Sequence, residues 1–239
     1  MLHDKEMDRR AALLAVAGIG ILATLEGCGE KDEGEEIPAT EDMMREHGVL
    51  RRILVAYREA ATMIRSNAAF DVAALADAAD LFRSFGEDYH EHKLEEEHVF
   101  PAVRKAGGPA AGLIDTLLRQ HQRGREINQF LIATCKGGAI ADARRQDVVS
   151  ALESYARMYE AHAAHEDTVI FQAWRKSLSK HALKEASERF EDIEKAQFKG
   201  DGFDQAVDRI AGIEQRLGIA DLERFTAAPI GRLAEAARG

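Results

Sequence analysis

From Thr40 onward, apolar side chains recur at three- and four-residue steps, the spacing that gathers them on one face of an α-helix. Met43, His47, Leu50, Leu54, Tyr57 and Ala61 share such a face. Thr40, followed by acidic Glu41 and Asp42, predicts an N-cap, and this first helix runs to about Ser66. A second helix begins near Asp71, carries Leu75, Phe82, Phe85, Tyr89, His92, Glu96, Val99 and Val103 on one face, and stops before Gly107-Gly108-Pro109. A third presents Ile114, Leu117, His121 and Leu131 until Gly137-Gly138, and a fourth presents Leu152, Tyr155, Tyr159, His162, Glu166, Val169 and Ala173 and ends near Lys180. Short connections between four such helices predict an all-α fold, an up-down-up-down four-helix bundle over residues 40–180. In residues 181–239, Phe190, Ile193, Phe198, Phe203, Val207, Ile210, Ile213 and Leu217 keep the helical spacing across a Gly200-Asp201-Gly202 break. One or two extra helices packed on the bundle are expected there.

Ahead of the bundle the pattern is different. Residues 11–25, AALLAVAGIGILATL, are uniformly apolar, too short to span a bilayer comfortably, and follow Arg9-Arg10. Residues 1–28 therefore read as an export signal, and DRRAALL resembles a twin-arginine signal. Leu25-Glu26-Gly27-Cys28 resembles a lipobox in which Cys28 is acylated, although Glu26 stands where a small residue is usual. Residues 29–39 open with the acidic GEKDEGEEIP and read as a solvated tether. The expected location is exported, either periplasmic or attached to the membrane through a lipid on Cys28.

Composition narrows the class. Only 4 Pro occur in 239 residues, in keeping with helices throughout. The net charge of −10, with no basic stripe interleaved with aromatics, disfavours nucleic acid as a partner. Two Cys, Cys28 and Cys135, build neither a disulfide framework nor a thiolate zinc site.

Polar residues on the apolar faces carry the chemistry. Tyr89-x-x-His92-x-x-x-Glu96 returns 70 residues later as Tyr159-x-x-His162-x-x-x-Glu166, and His47 with Arg51 returns as His121 with Arg125. A His and a Glu four residues apart stand one above the other on a helix, so both can reach one metal or two adjacent ones. Carboxylates buried on core faces need a partner, and divalent cations supply it. The predicted ligands are His47, His92, Glu96, His121, His162 and Glu166, with Glu96 and Glu166 as bridges. His90 and Glu95 are reserve ligands, whereas Glu91, Glu95 and His98 otherwise belong to a solvated stripe with Ser84 and Asp88. His165 is a supporting donor or a ligand, and Tyr89 and Tyr159 point to hydrogen bonding at the site or to core packing.

These residues resemble the hemerythrin family of HHE cation-binding domains over roughly residues 40–178. EDMMREHGVLRRIL resembles the first-helix motif, HKLEEEHVFP the second, RQHQRGRE the third and HAAHEDTVIF the fourth. Arg125 stands where oxygen carriers have a second His on the third helix, and His162 is followed by Glu166 rather than by Asp at a five-residue step. The resemblance thus implies the bacterial variant of the family rather than a reversible oxygen carrier. Imidazole and carboxylate ligands without thiolate suit two iron ions, with manganese and zinc as second choices. The implied role is binding or handling a small diatomic or peroxide ligand (dioxygen, peroxide, nitric oxide) or iron itself. A di-iron enzyme for peroxide decomposition or nitric oxide reduction, and a structural bundle with a remnant site, are the alternatives. A ferritin-like oxidase is disfavoured because it uses a Glu-x-x-His step.

Overall fold

The computed structural model describes residues 37–229, and the expected signal, Cys28 and most of the tether lie outside them. The described chain is helical, without strands. Helix α1 (Ala39–Arg65) is the first bundle helix. The second is continuous but changes character, from α2 (Val72–Leu81) through a π-helical stretch, π1 (Phe82–Val99), to α3 (Phe100–Ala106). After the short α4 (Gly108–Ala111) come α5 (Ile114–Cys135) and α6 (Asp142–His165), the latter continuing through π2 (Glu166–Ile170) into α7 (Phe171–Ser177). The four predicted helices are all present, packed with α1 against α6, α2 against α5, and α5 against α6.

The ends follow local chemistry. The first helix is capped by Pro38 at φ −61 rather than by Thr40, which lies inside the first turn with its hydroxyl buried and unpaired. With Pro38 as the cap, its φ preset by the ring, the helix starts two residues earlier than it would from a Thr40 cap. Asp71 caps α2 by accepting from the backbone N–H groups of Ala73 and Ala74. At the junction of α3 and α4, Gly107 and Gly108 both adopt positive φ (77 and 79), a backbone conformation that residues with a side chain adopt only at a cost.

The carboxy-terminal extension forms α8 (Lys180–Phe198) and α9 (Gly202–Arg216), packed on the bundle as expected. Phe198 meets Phe85 and Tyr89 at ring-centroid distances of 5.9 and 5.1 Å, and Phe190 stacks on Trp174 at 5.5 Å. Arg52 donates two hydrogen bonds to Glu214, at 2.8 and 2.6 Å. None of the described helices is long and apolar enough to cross a membrane.

Aromatic packing fills the bundle's lower half, and Gly124 permits it. A Cβ at Gly124 would lie 2.8 Å from the Tyr155 hydroxyl oxygen, and Tyr155 is held between Tyr57, Phe82 and Tyr159. Gly124→Ala should therefore lower unfolding stability by about 1–2 kcal/mol, overpacking outweighing alanine's better helix propensity. A denaturant midpoint equal to or above wild type would show that the Tyr155 ring can yield.

Candidate functional site

Four imidazoles meet in the interior in two pairs. His47 and His90 bring their Nε2 atoms to 3.0 Å, and His121 and His162 bring theirs to 3.1 Å. Glu95 lies between the pairs, with Oε1 3.5 Å from His90 Nε2 and Oε2 3.3 Å from His121 Nε2. Glu166 also reaches both, with Oε2 2.9 Å from His162 Nε2 and 3.6 Å from His47 Nε2. All six side chains are buried.

The opposite edge of every imidazole is held. His47 Nδ1 is 2.6 Å from Asp167, which also takes a hydrogen bond from Arg51. His90 Nδ1 is 2.5 Å from Glu46, whose other oxygen accepts from the Tyr89 hydroxyl at 2.9 Å. His121 Nδ1 is 2.8 Å from Glu96, which accepts from Arg125 at 2.6 Å. His162 Nδ1 is 2.9 Å from the side-chain oxygen of Gln120. Phe171 stacks on His47 and Phe100 on His121, at 5.5 Å in both cases.

These contacts decide the chemistry. With an acceptor at each Nδ1, the proton sits there and every Nε2 presents a lone pair. Lone pairs of two imidazoles then face each other at hydrogen-bond distance, and all four oxygens of Glu95 and Glu166 are buried without a hydrogen-bond partner. Such a constellation repels itself unless cations fill it. Two nitrogens bound at about 2.1 Å and at right angles on one ion would lie about 3.0 Å apart, as these pairs do. The candidate groups Glu95–His121–His162–Glu166 and His47–His90–Glu95, each with ligand atoms within 4.8 Å of one another, therefore fit bound metal. Without cations, protons are the substitute. Burial pulls His162 well below its ordinary value and pushes Glu166 well above, whereas at His90 and His121 the surrounding glutamates overcome burial and raise the imidazole pKa.

The predicted set needs correcting on the second helix. The structure brings together His47, His121, His162 and Glu166, but not His92, whose side chain is 52 % exposed and paired with Glu96 and Glu97 at the surface. Glu96 is the support of His121 rather than a bridge between the pairs. His90 and Glu95 face the interior instead, and Glu91, expected in solvent, is buried beside Arg125. The cause is π1. Its i→i+5 hydrogen bonding widens the turn, so residues sharing a face lie four to five positions apart rather than three to four. Phe82, Gly86, His90, Glu95 and Val99 form the inward row.

Allowing for this, the internal repeat has a spacing of 71 residues after the extra position: Glu95-Glu96 with Val99-Phe100 matches Glu166-Asp167 with Ile170-Phe171. That stricter match was the available signal for Glu95, Asp167, Phe100 and Phe171. Nothing in the periodicity marked Glu46 or Gln120, which precede a ligand-type His by one residue. His165 is exposed, its Nδ1 donating to the Ala161 carbonyl, and Tyr159 is buried with an unpaired hydroxyl.

A polar network continues below the site. Tyr57 donates to Asn128 Oδ1 at 2.7 Å, and Asn128 donates to Glu87 at 2.6 Å.

The sequence model of the Hemerythrin HHE cation binding domain matches residues 39–174, more than half of the chain, and the protein belongs to that family. The uncharacterized proteins Rv1995 of Mycobacterium tuberculosis (strain ATCC 25618 / H37Rv) and Mb2018 of Mycobacterium bovis are each 42% identical over 195 residues, 80% of this chain and 76% of theirs. No solved structure matches.

Glu87 yields a pH test. Burial, and then the charge of Glu91, raise its carboxyl pKa from 4.5 to about 8. The folded state then holds a proton that the unfolded state has lost, so this contribution is full below about pH 4.5 and declines as pH rises towards 8. Glu87→Gln should gain stability relative to wild type progressively across that window, measured by denaturation at a series of pH values. A constant difference across the window would contradict it.

Proposed function

We propose that this protein is a non-haem di-iron protein that binds and handles a small ligand such as dioxygen, peroxide or nitric oxide. One observation carries the reading: two pairs of facing imidazole nitrogens are joined by Glu95 and Glu166, whose buried oxygens have no other partner. Each half offers two imidazoles and oxygens from the two carboxylates, His47 and His90 in one, His121 and His162 in the other. That donor set completes a four-coordinate zinc site but leaves open positions on six-coordinate iron or manganese, and nitrogen and carboxylate donors without thiolate suit both. Charge supports a pair of divalent ions. Together with Arg51 and Arg125 they would balance the carboxylates of Glu46, Glu91, Glu95, Glu96, Glu166 and Asp167.

When bound, iron would supply the redox change and the open positions. The protein's own part is orientation, exclusion of water and hydrogen bonding. Asp167, Glu46, Glu96 and Gln120 fix the tautomer of the four imidazoles, and Phe100 and Phe171 fix two ring planes. Tyr159, with its hydroxyl free of protein partners, is the group available to donate a hydrogen bond to a ligand in the interior. Tyr89 is spent on Glu46. For location, the reading keeps export to the cell envelope, supported by Arg9-Arg10 and the apolar run that follows.

Metal analysis of the full chain should give close to two iron ions per chain. His90→Ala and Glu95→Ala should lose most of that content, whereas His92→Ala should retain it. Retention in the first two with loss in the third would sink the assignment. Tyr159→Phe should keep the iron and shift the absorption bands of a ligand-bound form, and identical spectra would remove Tyr159 from the site.

A further inference from the structure

We propose that the two halves of the centre are inequivalent, the His121–His162 half being the exchangeable one that small uncharged ligands enter through the cavity beside Gln120. This rests on the metal-centre reading above.

Two independent observations meet at His162. The first is the cavity, about 150 Å³, lined by Leu113, Thr116, Leu117, Gln120, Ala161, His162 and His165. One water needs only about 10–15 Å³ on the same measure, so the cavity has ample room for a diatomic molecule or a peroxide. Leu113, Leu117 and Ala161 supply apolar wall; Ala161 and His165 are exposed, and buried His162 lines it together with the half-buried Gln120 that holds its Nδ1 edge. Lys, Arg, Asp and Glu are missing from the lining. Such a passage favours neutral molecules over anions, which would leave their hydration without compensation.

The second observation is the hydrogen bond on His162. Three imidazoles rest their Nδ1 on a carboxylate, and His162 rests its own on a neutral amide oxygen. A carboxylate accepting the Nδ1 proton makes the far nitrogen a stronger donor, so Nε2 of His162 is the weakest of the four. Glu91 adds negative charge to this half, but its contact is with Arg125, and it lies 3.9 Å from His121 Nδ1 rather than at any Nε2. A carboxylate in place of Gln120 would strengthen His162 and would also put an anion at the mouth of the cavity. A half-buried amide avoids that and leaves a looser ion where the ligand arrives.

The test has two arms on the full iron-loaded chain. In stopped-flow mixing of nitric oxide with the reduced protein, Ala161→Phe, which fills the cavity from its outer wall, should slow binding several-fold while iron content stays at the wild-type value. In chelator challenge, wild type should release its iron in two phases, and Gln120→Glu should slow the faster phase by about 10-fold, the usual scale for a support behind a ligand histidine. Unchanged nitric oxide kinetics in Ala161→Phe at full iron content would overturn the route. A single release phase in wild type, or one untouched by Gln120→Glu, would overturn the inequivalence. A chain that takes up no iron at all would instead sink the metal-centre reading, and this inference with it.

Discussion

Mutual repulsion at the centre of the bundle is the constraint on which the rest depends. Four imidazoles turn their Nε2 atoms inward, and two glutamates leave their oxygens without hydrogen-bond partners, all of them buried. Left unanswered, that arrangement would cost several kcal/mol per carboxylate. Bound cations reverse its sign, because the same lone pairs become attractive. Metal binding at such a centre would thereby be coupled to folding, because ions would receive the side chains on which the helices converge.

Everything around this core serves to hold its geometry. Arg51 and Arg125 anchor Asp167 and Glu96, each of which holds an imidazole on a different helix from its own. These cross-helix contacts tie the second hairpin to the first, so the ligand field doubles as tertiary structure. The extension takes part too. Phe198 packs on Tyr89, and Tyr89 donates to the Glu46 that orients His90. An outer helix thus touches the centre through a chain of three contacts.

Much of this was legible in the sequence. The helical periods, the Gly-Gly breaks and the apolar spacing after Lys180 marked the elements, because each depends on local chemistry. His47, His121, His162 and Glu166 were readable for the same reason, lying on helices of ordinary pitch up to the start of π2. On the second helix an α-helical step projects the wrong face, because the backbone there is π-helical. A π-helical stretch leaves no mark in apolar spacing that a short polar run such as YHEHKLEEEH could reveal. Only the repeat of Glu95-Glu96 and Phe100 as Glu166-Asp167 and Phe171 carried that information. Glu46 and Gln120 were invisible for another reason. A side chain that supports a ligand from a neighbouring helix obeys no spacing rule along its own.

The near-symmetry of the two hairpins has one more consequence. A bundle assembled from two identical chains must place the same residue at both equivalent positions, so whatever stands behind one imidazole stands behind its mate. Joining the halves in a single polypeptide removes that obligation. Among the places where the halves differ are the additional position between His90 and Glu95 and the exchange of an acid for an amide between Glu46 and Gln120. Covalent linkage is what allows each side of the bundle to be altered without its counterpart following.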